Sequence, residues 1–198
     1  LHDALPISAE RLEGKKIGKE ESWYFVEQPQ SGWIYAGCKV GDKENIKKAI
    51  DKSEMEKITG KLEIASGEYV CIKAGTLHAM TAGSLVYEIE YGSDYTYRFY
   101  DYDRVDEHGN KRELHTTKAM EAIKPEAKPV KRTCKKGGWI SESYYEICVC
   151  KDIMQLRNES DRLLCVSFID AEGMIDGYEI KRGSGLLLEA GEAVTEVD

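Results

Sequence analysis

The chain has 198 residues, of which 41% are hydrophobic and 32% are charged. This composition is typical of a folded globular protein rather than a disordered chain, and the length allows one large domain or two small ones. The net charge of −8 argues against a general binder of nucleic acid. The sequence also lacks an apolar run long enough to span a membrane.

The first eight residues do not resemble a native N-terminus. The chain begins with Leu1, and the stretch from His2 to Ile7 resembles the translation of a sequencing-adapter oligonucleotide. We interpret residues 1–8 as a non-native, adapter-like leader and exclude them from the fold prediction. We further interpret the chain as a fragment, incomplete at the N-terminus of its first domain and truncated at its C-terminus.

Six cysteines are spread along the sequence without a CxxC pair, and several lie within apolar runs. This usage favours reduced, largely buried thiols in a cytoplasmic protein over a disulfide framework.

Two aromatic runs, 23–26 and 33–36, are typical of β-strands. Pro29 and Gly32 lie between them and predict a turn, so we expect the two strands to form a hairpin.

Residues 43–59 form a predicted helical insertion. Ile46 and Ala49 are three positions apart and begin an apolar stripe. Ser53 followed by Glu56 resembles a capping box, which indicates two short helices rather than one.

Strand patterns return after the helical block, at 62–64, 69–72, 85–90 and 95–100. The last two are predicted to be adjacent strands joined by a turn at Gly92-Ser93-Asp94. A polar turn at 106–110 and a short helix at 116–123 follow.

The segment 124–136 contains Pro125, Pro129 and many charges, as a linker would. It separates a predicted first domain, 9–123, from a second domain, 137–198, in which several short strand patterns recur. Many short strands with regular turns predict a mainly β protein of two barrels of the sandwich or jelly-roll class.

The stretch from Gly67 to His78 runs through a predicted strand, a tight turn at Gly75 and the start of the next strand. Its spacing resembles the second motif of the cupins, although Lys73 replaces the usual proline and Ala82 the usual asparagine. A histidine placed directly after a rigid turn suits metal binding, because its backbone position is fixed. The competing interpretation is a core histidine hydrogen-bonded to the backbone.

A second stretch, Gly18-Lys19-Glu20-Glu21-Ser22-Trp23-Tyr24, resembles the Gly-Lys-x-Glu-x-Trp-Tyr pattern of the type I mannose-6-phosphate isomerases. Three further stretches, 75–79, 93–104 and 112–115, resemble the same family in the same order. The resemblance covers about residues 9–125 and implies two cupin-type jelly-roll barrels and one zinc ion per subunit.

The resemblance implies roles for particular residues. Glu21 and His78 match two zinc ligands, and the family draws two further ligands from an upstream Gln-x-His segment that this chain lacks. Lys19 and Arg98 match catalytic residues that also bind substrate, and Asp94 matches another substrate-binding position. His115 lies in a motif resembling the family's, but we interpret it as structural.

Strand periodicity supports two of these groupings from the residues alone. Lys19 and Glu21 are two positions apart, so a strand places both side chains on one face. The same alternation predicts one face for Asp94, Thr96 and Arg98. Each has an ordinary interpretation as well: an exposed lysine, a solvated glutamate, a surface salt bridge.

The implied reaction is the interconversion of mannose 6-phosphate and fructose 6-phosphate, phosphorylated hexoses of carbohydrate metabolism, through an enediol. A carboxylate, a metal-bound water and Lys19 remain open as the general base. Without the upstream ligands, this chain alone is expected to bind zinc poorly and to be inactive. The alternative is a non-catalytic cupin that binds a sugar or metal, and a third reading is a cupin enzyme that uses another metal.

Overall fold

The computed structural model of the protein describes residues 18–93, 95–102, 104–135, 137–151 and 155–195. The chain divides into two compact units, Leu1–Thr133 and Cys134–Asp198, called unit 1 and unit 2 below. Both consist mainly of antiparallel β-strands, which confirms the predicted fold class.

Unit 1 contains seven strands and three helices among its described residues: β1 (Glu20–Glu27), β2 (Trp33–Cys38), α1 (Lys43–Asp51), α2 (Met55–Ile58), β3 (Thr59–Glu63), β4 (Glu68–Ile72), β5 (His78–Ala79), β6 (Leu85–Tyr91), α3 (Thr116–Ala122) and β7 (Val130–Thr133). The strands form a four-stranded sheet in the order β6-β1-β4-β7 and a three-stranded sheet in the order β3-β2-β5.

Side chains from both sheets of unit 1 meet in one apolar core. Trp23 and Phe25 come from β1, and Ile34 and Ala36 come from β2, with further members on or beside β3 and β4. Alternate residues of a strand face opposite sides, so the side chain of Tyr35 leaves this core. It packs instead in a second cluster with apolar residues of the three helices.

The predicted hairpin between the first two strands is wrong. The edges of β1 are taken by β4 and β6, while β2 pairs with β3 and β5. The turn at Pro29 and Gly32 exists, with Gly32 N–H donating to the Pro29 carbonyl at 2.9 Å, but it carries the chain from one sheet to the other. Turn residues specify a change of direction and leave the pairing partner open.

The predicted helical insertion is confirmed as two helices, but the predicted capping box is wrong. Asp42 caps α1 by accepting a hydrogen bond from the Asn45 backbone N–H at 2.8 Å. Ser53 adopts φ +55° and donates its N–H to the Ile50 carbonyl at 2.9 Å, so it closes α1. The N-cap of α2 is Glu54, whose side chain makes no capping hydrogen bond.

Residues 95–100 were predicted to be a strand, and this prediction is also wrong. The described residues here have no strand pairing. Tyr97 and Phe99 are buried against the helical cluster, and the backbone of Arg98 bonds to His115. The aromatic pattern of this segment therefore reflects side-chain packing against the helices rather than pairing with another strand.

Residues 124–136, predicted as a linker, include β7. This strand pairs with β4 over four positions, from Glu68 opposite Thr133 to Cys71 opposite Val130. The boundary between the two units accordingly lies after Thr133.

Unit 2 contains eight short strands among its described residues: β8 (Trp139–Ser141), β9 (Glu146–Cys148), β10 (Gln155–Arg157), β11 (Leu164–Ser167), β12 (Gly173–Ile175), β13 (Tyr178–Ile180), β14 (Gly185–Leu188) and β15 (Ala193–Thr195). They pair only two by two, as β8-β9, β10-β15, β11-β14 and β12-β13.

All six cysteines are described, and none of them forms a disulfide. The expectation that they are largely buried is wrong, because Cys38 and Cys71 are buried but Cys150 and Cys165 are exposed. Over the described part of the chain, the structure contains no helix that is both long and apolar enough to cross a membrane.

Candidate functional site

Strand β1 directs Glu21 toward the interior of unit 1. Trp23 and Phe25 belong to the core between the sheets, and Glu21 lies on the same side because strand residues alternate. The Glu21 residue is only 3% exposed. An ionised carboxylate at this depth requires a cationic partner, since burial without one is costly.

The turn before β5 fixes the position of His78. Gly75 has φ +99°, a conformation that favours glycine, and the Thr76 N–H closes the turn on the Lys73 carbonyl at 3.1 Å. His78 then opens β5 opposite Ala36, a core residue, and is 5% exposed. The predicted arrangement of turn and inward-facing histidine is therefore present.

The imidazole of His78 is held at both nitrogens. Nδ1 lies 2.7 Å from the Thr76 carbonyl oxygen, which can only accept a hydrogen bond, so Nδ1 carries a proton. Nε2 faces the Glu21 carboxylate within hydrogen-bonding distance. The ring also meets Trp23 edge-on, with centroids 5.3 Å apart. The structure thus brings together the two residues predicted as metal ligands, which are distant in sequence.

The contact between Glu21 and His78 requires positive charge. If Nδ1 is the only protonated nitrogen, Nε2 and the carboxylate are two acceptors facing each other. A second imidazole proton or a metal cation resolves this conflict. Burial favours the neutral form of Glu21, but the charges and hydrogen bonds of His78 and Lys19 outweigh it and hold the pKa of Glu21 well below its usual range.

Lys19 lies beside this pair, as the sequence predicts. Its Nζ is 2.9 Å from Glu21 Oε2 and also contacts the Glu90 carboxylate, and its side chain is 15% exposed. Burial opposes the charged form of Lys19, yet the two carboxylates dominate and raise its pKa. The ammonium is therefore kept protonated at the edge of the site.

Sequence reasoning missed two carboxylates on β6. The carboxylate oxygens of Glu21, Glu88 and Glu90 lie within 4.8 Å of one another. Glu90 and Glu88 are the register partners of Glu21 and Trp23. Their alternation along β6 was visible in the sequence, but the pairing of β6 with β1 was not.

Trp23 connects the histidine to this carboxylate cluster. Its Nε1–H donates to Glu88 Oε1 at 2.7 Å while its ring packs against His78. Burial of the carboxylate beside Trp23 is the main cause that raises the pKa of Glu88, and the charges of Glu21 and Glu90 act in the same direction. Trp23 thereby orients two polar groups of the site.

The site has the chemistry of a metal centre. A buried carboxylate and an imidazole whose Nδ1–H is held by a carbonyl present oxygen and nitrogen donors to one point, and such a hydrogen bond orients histidine ligands. Glu88 and Glu90 are exposed residues, so the cluster remains accessible from the β6 side. The residues are therefore compatible with a metal ion that has an open coordination position.

Arg98 occupies a different polar network of unit 1. Its Nη1 donates to the Glu113 carbonyl at 3.3 Å, and its Nε lies 3.9 Å from Asp101 Oδ1. Among the described residues, these polar contacts do not include Glu21, His78 or Lys19. Nε is buried and has no hydrogen-bond partner among the described residues. Asp94, predicted on the same face as Arg98, lies outside the described residues, and the described residues 95–100 do not form the strand on which that prediction depended.

His115, which we interpret as structural, bonds to the backbone of Arg98 and of α3. Its Nδ1 accepts a hydrogen bond from the Arg98 backbone N–H at 3.3 Å, and its carbonyl accepts one from Ala119 at 2.8 Å at the start of α3. These bonds fix the backbone of the 95–100 segment against the helix.

No protein-family model matches the chain. The mannose-6-phosphate isomerase ManA of Bacillus subtilis is 29% identical over 196 residues, which cover 90% of this chain and 61% of that protein. The mannose-6-phosphate isomerase of Streptococcus mutans is 31% identical over 119 residues, 60% of this chain and 38% of that protein.

A solved structure gives the same result for the fold. The crystal structure of the mannose 6-phosphate isomerase from Bacillus subtilis superposes with a TM-score of 0.76 at 26% identity, covering 98% of this chain and 67% of that one. This match confirms the expected cupin-type architecture. The chain spans 38% and 61% of the two curated relatives described above.

Proposed function

We propose that this chain, which is similar to mannose-6-phosphate isomerases, is part of a type I mannose-6-phosphate isomerase, and that the whole protein is a zinc-dependent aldose-ketose isomerase. Its reaction interconverts mannose 6-phosphate and fructose 6-phosphate through an enediol intermediate. The protein acts in the cytoplasm, a proposal supported by six free thiols.

One observation carries the proposal: Glu21 and His78 meet in the interior of unit 1 although 57 positions separate them (78 − 21). A buried pair of acceptors with a fixed tautomer is an expensive arrangement unless a cation occupies it. The proposed role of the pair is to hold one zinc ion per subunit. Further ligands are expected from a Gln-x-His segment upstream, as the family resemblance implies.

Bound zinc would supply Lewis acidity toward the sugar carbonyl and hydroxyl oxygens. The remaining chemistry falls to side chains that surround the pair. Lys19 is tied to two carboxylates, so it keeps its proton and is a poor base. We assign it to binding substrate oxygens through its ammonium group.

Glu88 is the carboxylate best placed to move the proton between C1 and C2 of the sugar. Its Oε1 is held by Trp23, which leaves Oε2 to accept a proton. The carboxylate reaches the cluster from the accessible β6 side, where a sugar can approach. A general base must be oriented in this way before its pKa matters.

Arg98 is proposed to bind the phosphate or the developing negative charge of the enediolate, with Asp94 as a further substrate-binding residue. A guanidinium keeps its charge at any working pH and offers paired donors to an anion. The buried Nε of Arg98, which has no hydrogen-bond partner among the described residues, supports this role, since such a donor can bond to a ligand.

The test compares two proteins: this chain, and a longer chain that adds the residues encoded upstream. We expect zinc-dependent isomerisation of mannose 6-phosphate by the longer chain, lost with EDTA and restored by zinc. This chain alone should have little or no activity. Sugar or metal binding without turnover in the longer chain would instead support the non-catalytic cupin.

A matched pair of variants locates the activity. Glu21→Gln should abolish the zinc-dependent isomerase activity of the longer chain. Glu44→Gln, which changes an exposed glutamate in the first turn of α1 that pairs with Lys48, should leave that activity unchanged. Equal effects of the two substitutions would contradict the proposed ligand.

A further inference from the structure

Two thiols meet at the end of a hairpin in unit 2. Cys148 is the last residue of β9, and Cys150 follows two positions later. Their Sγ atoms are 3.2 Å apart. Residues two apart in an extended segment share a face, which explains why the side chains meet. Cys150 is exposed and Cys148 is partly buried.

The hairpin backbone fixes this pair. Cys148 is the register partner of Trp139, and the Gly137 N–H donates to the Val149 carbonyl at 3.1 Å. Cα atoms two positions apart in an extended strand are separated by about 6.6 Å, which lies within the roughly 4.4–6.8 Å that disulfides span. Bond formation therefore needs only small movements of the side chains and of the backbone around Val149.

We propose that Cys148 and Cys150 form a reversible oxidation site, in which a hydroperoxide converts the two thiols into an intra-hairpin disulfide. The site belongs to unit 2 and does not depend on the function proposed for unit 1. Its co-reactant is hydrogen peroxide, the simplest hydroperoxide, and a small dithiol such as dithiothreitol reverses it.

The reaction has two balanced steps. The thiolate of one cysteine attacks the peroxide, breaks the O–O bond and becomes a sulfenic acid, and one water leaves. The second thiol attacks that sulfur, the S–S bond forms, and a second water leaves. Overall, two thiols lose two hydrogens and one peroxide is reduced to two waters.

Exposure decides which sulfur reacts first. Cys150 is open to solvent, whereas burial and the neighbouring Cys150 thiol raise the pKa of Cys148 to about 11. A thiol that holds its proton reacts slowly with a peroxide that must reach it from solution, whereas its attack on an oxidised Cys150 is favoured because the two sulfurs are only 3.2 Å apart. Cys150 is therefore the residue oxidised first, and Cys148 is the resolving thiol at contact distance.

Peptide mapping tests the proposal directly, since tryptic cleavage after Lys136 and Lys151 releases one peptide that contains these two cysteines and no others. The folded chain is treated with equimolar hydrogen peroxide, quenched with catalase, denatured and alkylated with iodoacetamide. We expect this peptide to carry no alkyl groups and to be two hydrogens lighter. Dithiothreitol added before alkylation should restore both modified thiols.

Three variants control the experiment. Cys150→Ser should abolish the two-hydrogen loss, and Cys148→Ser should leave Cys150 as a sulfenic acid that a dimedone probe labels. Cys165→Ser removes another exposed thiol and should leave closure unchanged. Circular dichroism confirms that each variant is folded.

Other outcomes would overturn the proposal. A disulfide that joins Cys134 to Cys148 or to Cys150 would show that the reactive pair is a different one. In that case Cys134→Ser would abolish disulfide formation. Oxidation of Cys150 to sulfinic acid without a disulfide would show that Cys148 does not resolve it. If the Cys148–Cys150 disulfide formed no faster than Cys165 is oxidised, the short distance between the two thiols would give no advantage in rate.

Discussion

The two units differ in how much apolar surface they bury by themselves. Unit 1 packs two sheets and three helices around two clusters of buried side chains. In the described part of unit 2, Leu188 is the only buried hydrophobic residue, while Trp139 is 62% and Tyr178 is 75% exposed. Unit 1 has sheets of four and three strands, and unit 2 has pairs of strands.

This difference explains why the candidate site lies in unit 1. Glu21 and His78 are held by strands whose other side chains are locked in a packed core, and such support keeps metal ligands in place. Isolated strand pairs are only marginally stable in water. The hairpins of unit 2 suit exposed chemistry such as thiol oxidation, whereas a buried carboxylate needs the packing of unit 1.

The largest predicted effect is a loss of turnover that only a substitution at the candidate site of unit 1 should cause. His78→Asn in the longer chain should lower turnover roughly a thousandfold or more, because metal activation contributes several kcal/mol to the transition state. Glu179→Gln in unit 2 removes an exposed carboxylate paired with Lys181 at 3.0 Å and should leave turnover unchanged. Steady-state assays with mannose 6-phosphate measure both. A comparable loss in the unit 2 variant would break the comparison.

A second prediction separates the units by stability. Phe25→Ala empties a fully buried position of unit 1 and should cost about 3–5 kcal/mol. Leu187→Ala changes a residue of unit 2 that is 60% exposed and should cost about 0.5 kcal/mol or less. Urea unfolding followed by tryptophan fluorescence and circular dichroism measures both, and similar costs would contradict the difference in packing.

The third prediction concerns Trp23 as a positioning residue. Trp23→Phe keeps an aromatic ring against His78 but removes the donor to Glu88. Loss of such a supporting bond typically costs about 10–100-fold in metal affinity or activity. The pH profile of turnover should also shift, because Glu88 loses a hydrogen bond that lowers its pKa. Trp33→Phe serves as the control, because Trp33 lies on β2 and is not part of the carboxylate cluster. This substitution should change neither turnover nor its pH profile.

The smallest predicted effect is in the turn at Asp106. Hydrogen bonds from the Asn110 backbone and side chain and from His108 lower the pKa of Asp106 below its usual value. A carboxyl group with a lowered folded-state pKa stabilises the fold above its unfolded pKa, and this contribution disappears as the pH falls through the folded value. Asp106→Ala should therefore lower the Tm by about one degree at pH 7 and by less at acidic pH.

Thermal melts from pH 7 down to pH 3 test this sign, with Glu107→Ala as the control at the neighbouring exposed position. A deficit of the Asp106 variant that grows as the pH falls would contradict the assignment.

Local sequence patterns predicted the parts of the site that depend on short spacing. The turn at Gly75 set the position of His78, and alternation placed Lys19 beside Glu21. Both follow from backbone geometry within a few residues.

Long-range pairing was beyond those patterns. The sequence of β6 showed Glu88 and Glu90 on one face, but only the pairing with β1 brings them to Glu21. The same limit produced the wrong hairpin, since a turn at Pro29 does not specify which strand comes next in the sheet. Tyr97 and Phe99 resembled strand residues because packing against helices selects the same side chains as sheet formation does.

Anomalous diffraction at the zinc edge, on crystals of the longer chain grown with zinc, tests the central claim most directly. We expect one strong peak bonded to a Glu21 carboxylate oxygen and to His78 Nε2 at about 2.0–2.2 Å, with Nδ1 still donating to the Thr76 carbonyl. A chain in which zinc lies elsewhere, while the carboxylate and imidazole remain in direct contact with each other, would contradict it.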